Sequence, residues 1–219
     1  MKKKIIILLG VFLLILAAVC LFADFNTYEN RTKTTPNEQE GLLFSISTFD
    51  GKNESEPFIA CLGHAWLSLE NRTGHAVHLK DYEIQNGEVL AFSVWALTDH
   101  QGVTFNLEPN FIRQYGRYVG RQSLTVPIDE AKLSVIEAYM KANDTWTFDM
   151  NCSHWSLGLW NEVVEEPYRL KNQTLLYTPT RVQKSFSEFD SVEFDKDFSN
   201  AGGVFFYQDE IRTEFQLCS

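Results

Sequence analysis

The sequence has little cysteine and few basic residues. Its 219 residues include four Cys, and 19 Lys or Arg stand against 29 Asp or Glu, which gives a formal net charge of −10. An acidic chain argues against a nucleic-acid partner and against electrostatic binding to a membrane surface. The sequence also has no internal repeat and no low-complexity tract, and no cofactor is predicted.

The few cysteines exclude a dense disulfide framework. Beyond residue 23 there are only Cys61, Cys152 and Cys218, an odd number in a chain of this length. A disulfide between Cys61 and Cys218 would leave Cys152 as a free thiol, but the sequence alone does not establish that pairing.

Charge is absent from residues 5–23, which follow Lys2, Lys3 and Lys4. A basic start and an uncharged run of nearly membrane-spanning length predict export. We expect residues 1–23 to form an uncleaved signal anchor, with the lysines in the cytoplasm, and a cleaved signal peptide is the alternative. Residues 24–40 form a polar tether, and residues 41–219 form one exported domain. The protein is therefore expected in the cell membrane with an extracytoplasmic domain, or secreted.

The hydrophobic pattern of the domain predicts an α+β fold, in which an antiparallel sheet packs against two or three helices. The predicted strands cover residues 42–48, 58–69, 75–84, 89–97, 102–107, 121–126 and 203–207. The predicted helices begin at Asp129 and at Cys152 and end near Asn143 and Glu165.

Cys152 lies at the start of the second predicted helix. Asn151 is a good N-cap, so Cys152 would be the first helical residue, next to unpaired backbone N–H groups and the positive end of the helix dipole. Both favour the thiolate, which is the nucleophilic form of cysteine. A lone cysteine is also a common small core residue, so this position leaves both interpretations open.

A nucleophilic cysteine needs a base, and His64 is the strongest candidate. It lies in an otherwise apolar strand, between Gly63 and Ala65, and would share a strand face with Trp66. His78, in the following predicted strand, could meet His64 across a hairpin and orient its imidazole. His154 should point away from Cys152 on its helix. A zinc site built from Cys152, His64 and His78 is the metal alternative, but no Cys-x-x-Cys or His-Glu-x-x-His pair supports it.

Two motifs in this order resemble the circularly permuted papain-like hydrolases. The motifs are Gly63-His64-Ala65-Trp66-Leu67-Ser68-Leu69-Glu70-Asn71 and, downstream, Asn151-Cys152-Ser153-His154-Trp155. This group comprises permuted relatives of NlpC-type cell-wall peptidases and includes the lecithin-retinol acyltransferase family.

Further segments are similar to those of uncharacterised exported bacterial members, and the likeness covers roughly residues 58–186. The shared segments are Phe92-Ser93-Val94-Trp95, Asn106-Leu107-Glu108, Trp160-Asn161 and Thr178-Pro179.

The resemblance implies a permuted papain-like fold with Cys152 as nucleophile and His64 as base. Val77-His78-Leu79 is similar to the second-histidine strand of the acyltransferase branch, which makes His78 the expected third member. The expected function is cysteine-dependent hydrolysis of an amide bond, with cell-wall peptide as the substrate. Acyl transfer or thioester hydrolysis on lipid or ester substrates is the alternative chemistry, and a non-catalytic binding module is the alternative of another class.

Overall fold

The computed structural model of the protein describes residues 40–51, 63–95, 102–147, 149–171, 177–208 and 211–214. The predicted anchor, residues 24–39 of the tether, Cys61, Cys218 and His100 lie outside the described residues. Within the described ranges, no helix has the length and apolar character needed to cross a bilayer.

The described residues form ten strands and four α-helices. The strands are β1 (Gly41–Phe49), β2 (His64–Arg72), β3 (Val77–Leu79), β4 (Tyr82–Ile84), β5 (Val89–Val94), β6 (Val103–Phe105), β7 (Gln122–Ile128), β8 (Glu193–Phe194), β9 (Phe205–Gln208) and β10 (Ile211–Glu214). The helices are α1 (Leu107–Tyr115), α2 (Leu133–Ala142), α3 (Cys152–Val163) and α4 (Pro179–Ser185). Short 3₁₀ turns at Glu130–Lys132 and Phe186–Glu188 precede α2 and follow α4.

Eight strands form one antiparallel sheet in the order β10-β9-β6-β5-β2-β1-β7-β8. The long strands β1 and β2 pair over nine residues, from Gly41 opposite Arg72 to Phe49 opposite His64. Strand β5 pairs with the other edge of β2, so β2 lies between two partners near the centre of the sheet. The predicted mixed α+β class with an antiparallel sheet is confirmed.

The main core lies between this sheet and helix α3. Phe44 of β1 stacks on Trp160 of α3 with ring centroids 5.4 Å apart, and Phe92 of β5 meets Trp155 edge-on at 6.3 Å. All four side chains are fully buried. Burial of aromatic rings of this size dominates the packing energy, so the core fixes α3 against the strands that carry the candidate base.

The segment predicted as one strand over residues 75–84 is instead two short strands. Lys80 adopts a left-handed conformation with φ 55°, and the chain turns there so that β3 pairs with β4 in a separate two-stranded sheet. The prediction that a hairpin pairs the strand of His64 with that of His78 is therefore wrong. Both edges of β2 are already occupied, by β1 and β5.

Two helices were not predicted from the sequence. Helix α1 closely follows β6, and its first residue, Leu107, is the last residue of the strand predicted over residues 102–107. Helix α4 begins at Pro179, in the Thr178-Pro179 segment for which the sequence predicted no helix. Thr178 caps α4 through its side chain, and proline is well suited to the first helical turn.

Candidate active site

The first turn of helix α3 presents the thiol. Asn151 caps the helix, as predicted, because its Oδ1 accepts hydrogen bonds from the N–H groups of Ser153 and His154, each at 3.0 Å. Its Nδ2 donates to the carbonyl of Tyr177 at 3.1 Å, which anchors the cap to the chain before α4. Cys152 is a free, partly exposed cysteine at the first helical position.

His64 is the first residue of β2 and is only 6% exposed. Gly63, just before it, has φ 73°, and a Cβ atom there would collide with the carbonyl oxygen of Phe49. Glycine is therefore required where the chain enters β2, which fixes the position of the histidine.

Helix α3 and strand β2 are joined at the thiol. The Ser156 hydroxyl donates to the carbonyl of Ala65 at 3.2 Å, one turn along the helix from Cys152. The backbone N–H of Ala65 hydrogen-bonds the thiol of Cys152, and so does the imidazole of His64. The predicted pair of Cys152 and His64 is thus brought into contact.

The other side of His64 meets Glu108, the second residue of helix α1. His64 Nε2 lies 2.8 Å from Glu108 Oε1. The same oxygen accepts from the Ser93 hydroxyl at 2.5 Å and from Trp95 Nε1 at 2.9 Å. Glu108 is fully buried, and its Oε2 has no hydrogen-bond partner among the described residues. The carboxylate therefore acts through a single oxygen that faces the imidazole.

Asn106 fixes the start of α1, and so the position of Glu108. Its backbone N–H donates to the carbonyl of Ala91 at 2.8 Å, and its Oδ1 accepts from the N–H of Ala91 at 3.0 Å. Its Nδ2 donates to the carbonyl of Gly203 at 3.2 Å. The buried Asn106 has φ 58°, a left-handed conformation that asparagine tolerates better than most residues. Strand β5 therefore holds the helix that carries the carboxylate.

The three groups shift one another's pKa values. Burial by itself lowers the pKa of His64, but the Cys152 thiolate and the Glu108 carboxylate outweigh this effect and raise it to about 9. Burial by itself raises the pKa of the Cys152 thiol, but the imidazolium of His64 and the Ala65 N–H outweigh this and lower it. The pKa of Glu108 is likewise lowered, because its hydrogen bonds to His64 and Ser93 outweigh its burial. These shifts favour an ion pair of thiolate and imidazolium, backed by a carboxylate.

The structure does not bring His78 to this site. His78 lies exposed on β3, opposite Glu83 in the small sheet. The contact with the imidazole of His64 that was expected from His78 is made by Glu108 instead. His154 lies away from the thiol, as predicted, because its ring stacks on Tyr177 at 4.2 Å and its Nδ1 contacts the carbonyl of Asp149.

Glu108 lies in Asn106-Leu107-Glu108, one of the segments that carry the resemblance, but it was assigned no role from the sequence. The available signal was a carboxylate two residues after an asparagine, in an apolar segment that follows a strand. Among the described residues, no group of three or more His, Cys, Asp or Glu side chains is placed to hold a metal ion.

A comparison with models of known protein families, with curated proteins and with solved structures finds no match to this chain.

Proposed function

We propose that this protein is a cysteine-dependent acyl hydrolase with a permuted papain-like fold. The observation that carries the proposal is the line of contacts from Cys152 through His64 to the buried Glu108, at the N-terminus of a capped helix. A nucleophile, a base and a group that orients the base are the three parts that nucleophilic catalysis by cysteine requires.

In this proposal the Cys152 thiolate attacks the carbonyl carbon of the substrate. The N–H groups of Ser153 and His154 bind the cap, so we assign the N–H of Cys152 to the oxyanion that forms. The His64 imidazolium then gives its proton to the leaving group as the carbonyl–leaving-group bond breaks, and an acyl-cysteine remains. Water attacks this thioester while His64 accepts a proton from the water. The carbon–sulfur bond then breaks, which releases the acid product and restores the thiolate.

Glu108 takes the orienting role that the sequence analysis gave to His78. Its charge favours the imidazolium, and because its contact is with Nε2, we assign Nδ1 to the thiol. The hydrogen bonds from Ser93 and Trp95 fix the carboxylate in turn.

For the substrate we propose an amide in cell-wall peptide, and esters, thioesters or lipid acyl groups are the alternative chemistry. The uncharged run at residues 5–23 and the polar residues 24–40 support a domain that acts outside the cytoplasm, held at the membrane or secreted.

Alkylation of Cys152 by iodoacetamide tests whether the thiol is activated. The wild type should react faster at pH 6 than an ordinary cysteine, because the lowered pKa raises the thiolate fraction there. In His64→Gln the thiol loses its cationic partner, and the reaction should rise only near the ordinary cysteine pKa of about 8.5. His75→Gln is the matched control, since His75 is an exposed histidine paired with Glu130.

Activity is tested by incubating the purified protein with peptidoglycan fragments and with acyl lipids, beside Cys152→Ala. Loss of product in the variant alone would support hydrolysis. Slow alkylation of the wild type that does not depend on His64 would instead indicate a non-catalytic binding module.

A further inference from the structure

The chain between α1 and β7, residues 116–121, passes close to the candidate base. It enters the left-handed region at Gly116 (φ 62°), Tyr118 (φ 58°) and Gly120 (φ 85°). Glycine adopts this conformation freely, but a tyrosine does so at a cost in free energy that its surroundings must offset. The conformation of Tyr118 therefore calls for a specific set of contacts.

The ring of Tyr118 packs against His64 and its aromatic neighbours. Its centroid lies 6.1 Å from the imidazole of His64 and 5.2 Å from the indole of Trp66. Phe49 meets it edge-on at 5.6 Å. Trp95 contacts the same imidazole at 4.3 Å, so aromatic rings from the loop and from the sheet together limit how the imidazole can rotate.

Arg121 holds this loop in place. Its side chain is largely buried, and its Nη1 donates to the carbonyl of Tyr118 at 3.3 Å and to Asp195 Oδ1 at 3.1 Å. Its Nε and Nη2 both donate to the carbonyl of Lys196, at 3.0 and 2.5 Å. The Gly120 N–H adds a bond to Asp195 at 2.8 Å. The planar guanidinium thus ties the backbone of Tyr118 to residues 195–196, a geometry that a lysine ammonium would not reproduce.

We propose that Arg121 is a positioning residue for His64 that acts through the ring of Tyr118. The guanidinium fixes the left-handed backbone at Tyr118, and the ring then holds the imidazole in the orientation that joins Cys152 to Glu108. This inference rests on the proposed function, because it concerns the same thiol and base.

The charged groups around the guanidinium differ from those around the imidazole. The titratable side chains that face His64 are Cys152, Glu108 and Tyr118. Those that act on Arg121 are Asp195, Asp197 and Glu193. The ammonium of Lys196, whose carbonyl binds Arg121, pairs with Glu70 and Glu193. Since the charge of Arg121 is compensated by its own acidic neighbours, we expect its effect on His64 to pass through the ring.

The test measures the alkylation rate of Cys152 against pH in Arg121→Gln, Tyr118→Leu and Tyr118→Phe. Loss of the thiol–imidazole contact raises the thiol pKa towards its ordinary value. At a pH below the pKa, each unit of this increase in pKa lowers the thiolate fraction about tenfold. Arg121→Gln and Tyr118→Leu should therefore react more slowly at pH 6, by about tenfold for each unit by which the thiol pKa rises, with the rise of the profile shifted towards about 8.5. Tyr118→Phe keeps the ring and should retain most of the wild-type alkylation rate.

Arg212→Gln is the control for the loss of an arginine. Arg212 also lies over an aromatic ring, that of Phe205, but at the far end of the sheet. The change in thermal unfolding temperature of Arg212→Gln measures the effect of losing an arginine alone. The alkylation profile of Arg212→Gln should match that of the wild type. If Tyr118→Leu does not fold, Tyr118→Gly removes the ring and accepts the left-handed backbone.

Three results would overturn the inference. The first is an unchanged profile in both Arg121→Gln and Tyr118→Leu, while the wild type still reacts in a His64-dependent way. The second is a slow Arg121→Gln beside an unaffected Tyr118→Leu, which would show that the ring does not carry the effect. The third is an unreactive wild-type thiol, which would remove the proposed function itself.

Discussion

The carboxylate of Glu108 accepts three hydrogen bonds through one oxygen, from His64, Ser93 and Trp95. A buried carboxylate is costly unless it is paired, and here the compensating charge is the imidazolium of His64. Charge on Glu108 and charge on His64 therefore depend on each other. Glu108 was assigned no role from the sequence, but together with Cys152 it raises the pKa of the candidate base.

Substitution of Glu108 by glutamine tests this role. Glu108→Gln keeps the size of the side chain but removes the charge, so the imidazolium loses stabilisation and the catalytic rate should fall on the order of 10²-fold, the lower range for support of a general base. The measurement is kcat/KM on the substrate that the wild type cleaves.

His78→Gln is the matched variant, since His78 lies exposed on β3 away from the site. We expect its kcat/KM to equal that of the wild type. A loss of similar size in His78→Gln and in Glu108→Gln would return the orienting role to the histidine.

At the scale of the elements, helix α3 and strand β2 were predictable and helix α1 was not. Asn151 is a strong local cap signal, and the short apolar run around His64 is a local strand signal, so both elements can be predicted without knowledge of the rest of the chain. Helix α1 is preceded instead by Asn106, whose side chain binds β5 and the carbonyl of Gly203 and makes no cap hydrogen bond. Its start depends on contacts across the fold, which no local pattern contains.

The strand pairing was predicted incorrectly for a related reason. The sequence favoured a hairpin between the strands of His64 and His78, but β2 takes β1 and β5 as partners and β3 turns back on β4. Sequence proximity favoured His78 as the neighbour of His64. The register of β2 with β5 favours Ser93 and Trp95 instead, and a register is set by packing of the whole sheet.

The cap of α3 gives an element-scale prediction. Asn151→Asp keeps a good capping oxygen but places a negative charge beside the thiolate, so the thiol pKa should rise and alkylation at pH 6 should slow several-fold. Asn151→Ser also caps and also loses the bond to Tyr177, but it adds no charge. We expect it to retain more of the reactivity at comparable stability in urea. Equal rates in the two variants would show that charge at the cap does not act on the thiol.

At the scale of the whole molecule, the site contributes to stability in acid. The pKa of Glu108 is lower in the fold than its usual value of about 4.3, so its contribution to the free energy of unfolding is present above that pH and is lost as the pH falls through the folded pKa. His64 adds no pH dependence there, because its raised pKa keeps it protonated in both states below about 6.5.

Urea unfolding of Cys152→Ser and of Cys152→Ser/Glu108→Gln at several pH values measures this contribution, since the first substitution removes the titrating thiol. The stability difference between the two should shrink steadily below a pH of about 4.3. Glu130→Gln in the same background is the control, because the pair of Glu130 with His75 is exposed and should contribute little at any pH. A difference that stays constant down to pH 2 would contradict a charged Glu108 in the fold.

Three sets of contacts bring the thiol, the base and the carboxylate together only in the finished fold. They are the cap of α3 by Asn151, the hydrogen bond between Ser156 and Ala65, and the hydrogen bonds between Asn106 and β5. The base and its carboxylate are 44 residues apart in the chain, and the thiol follows only after another helix and strand. A nascent or unfolded chain therefore carries an ordinary, mostly protonated cysteine. In the proposed hydrolase, the activated thiol therefore exists only once folding is complete.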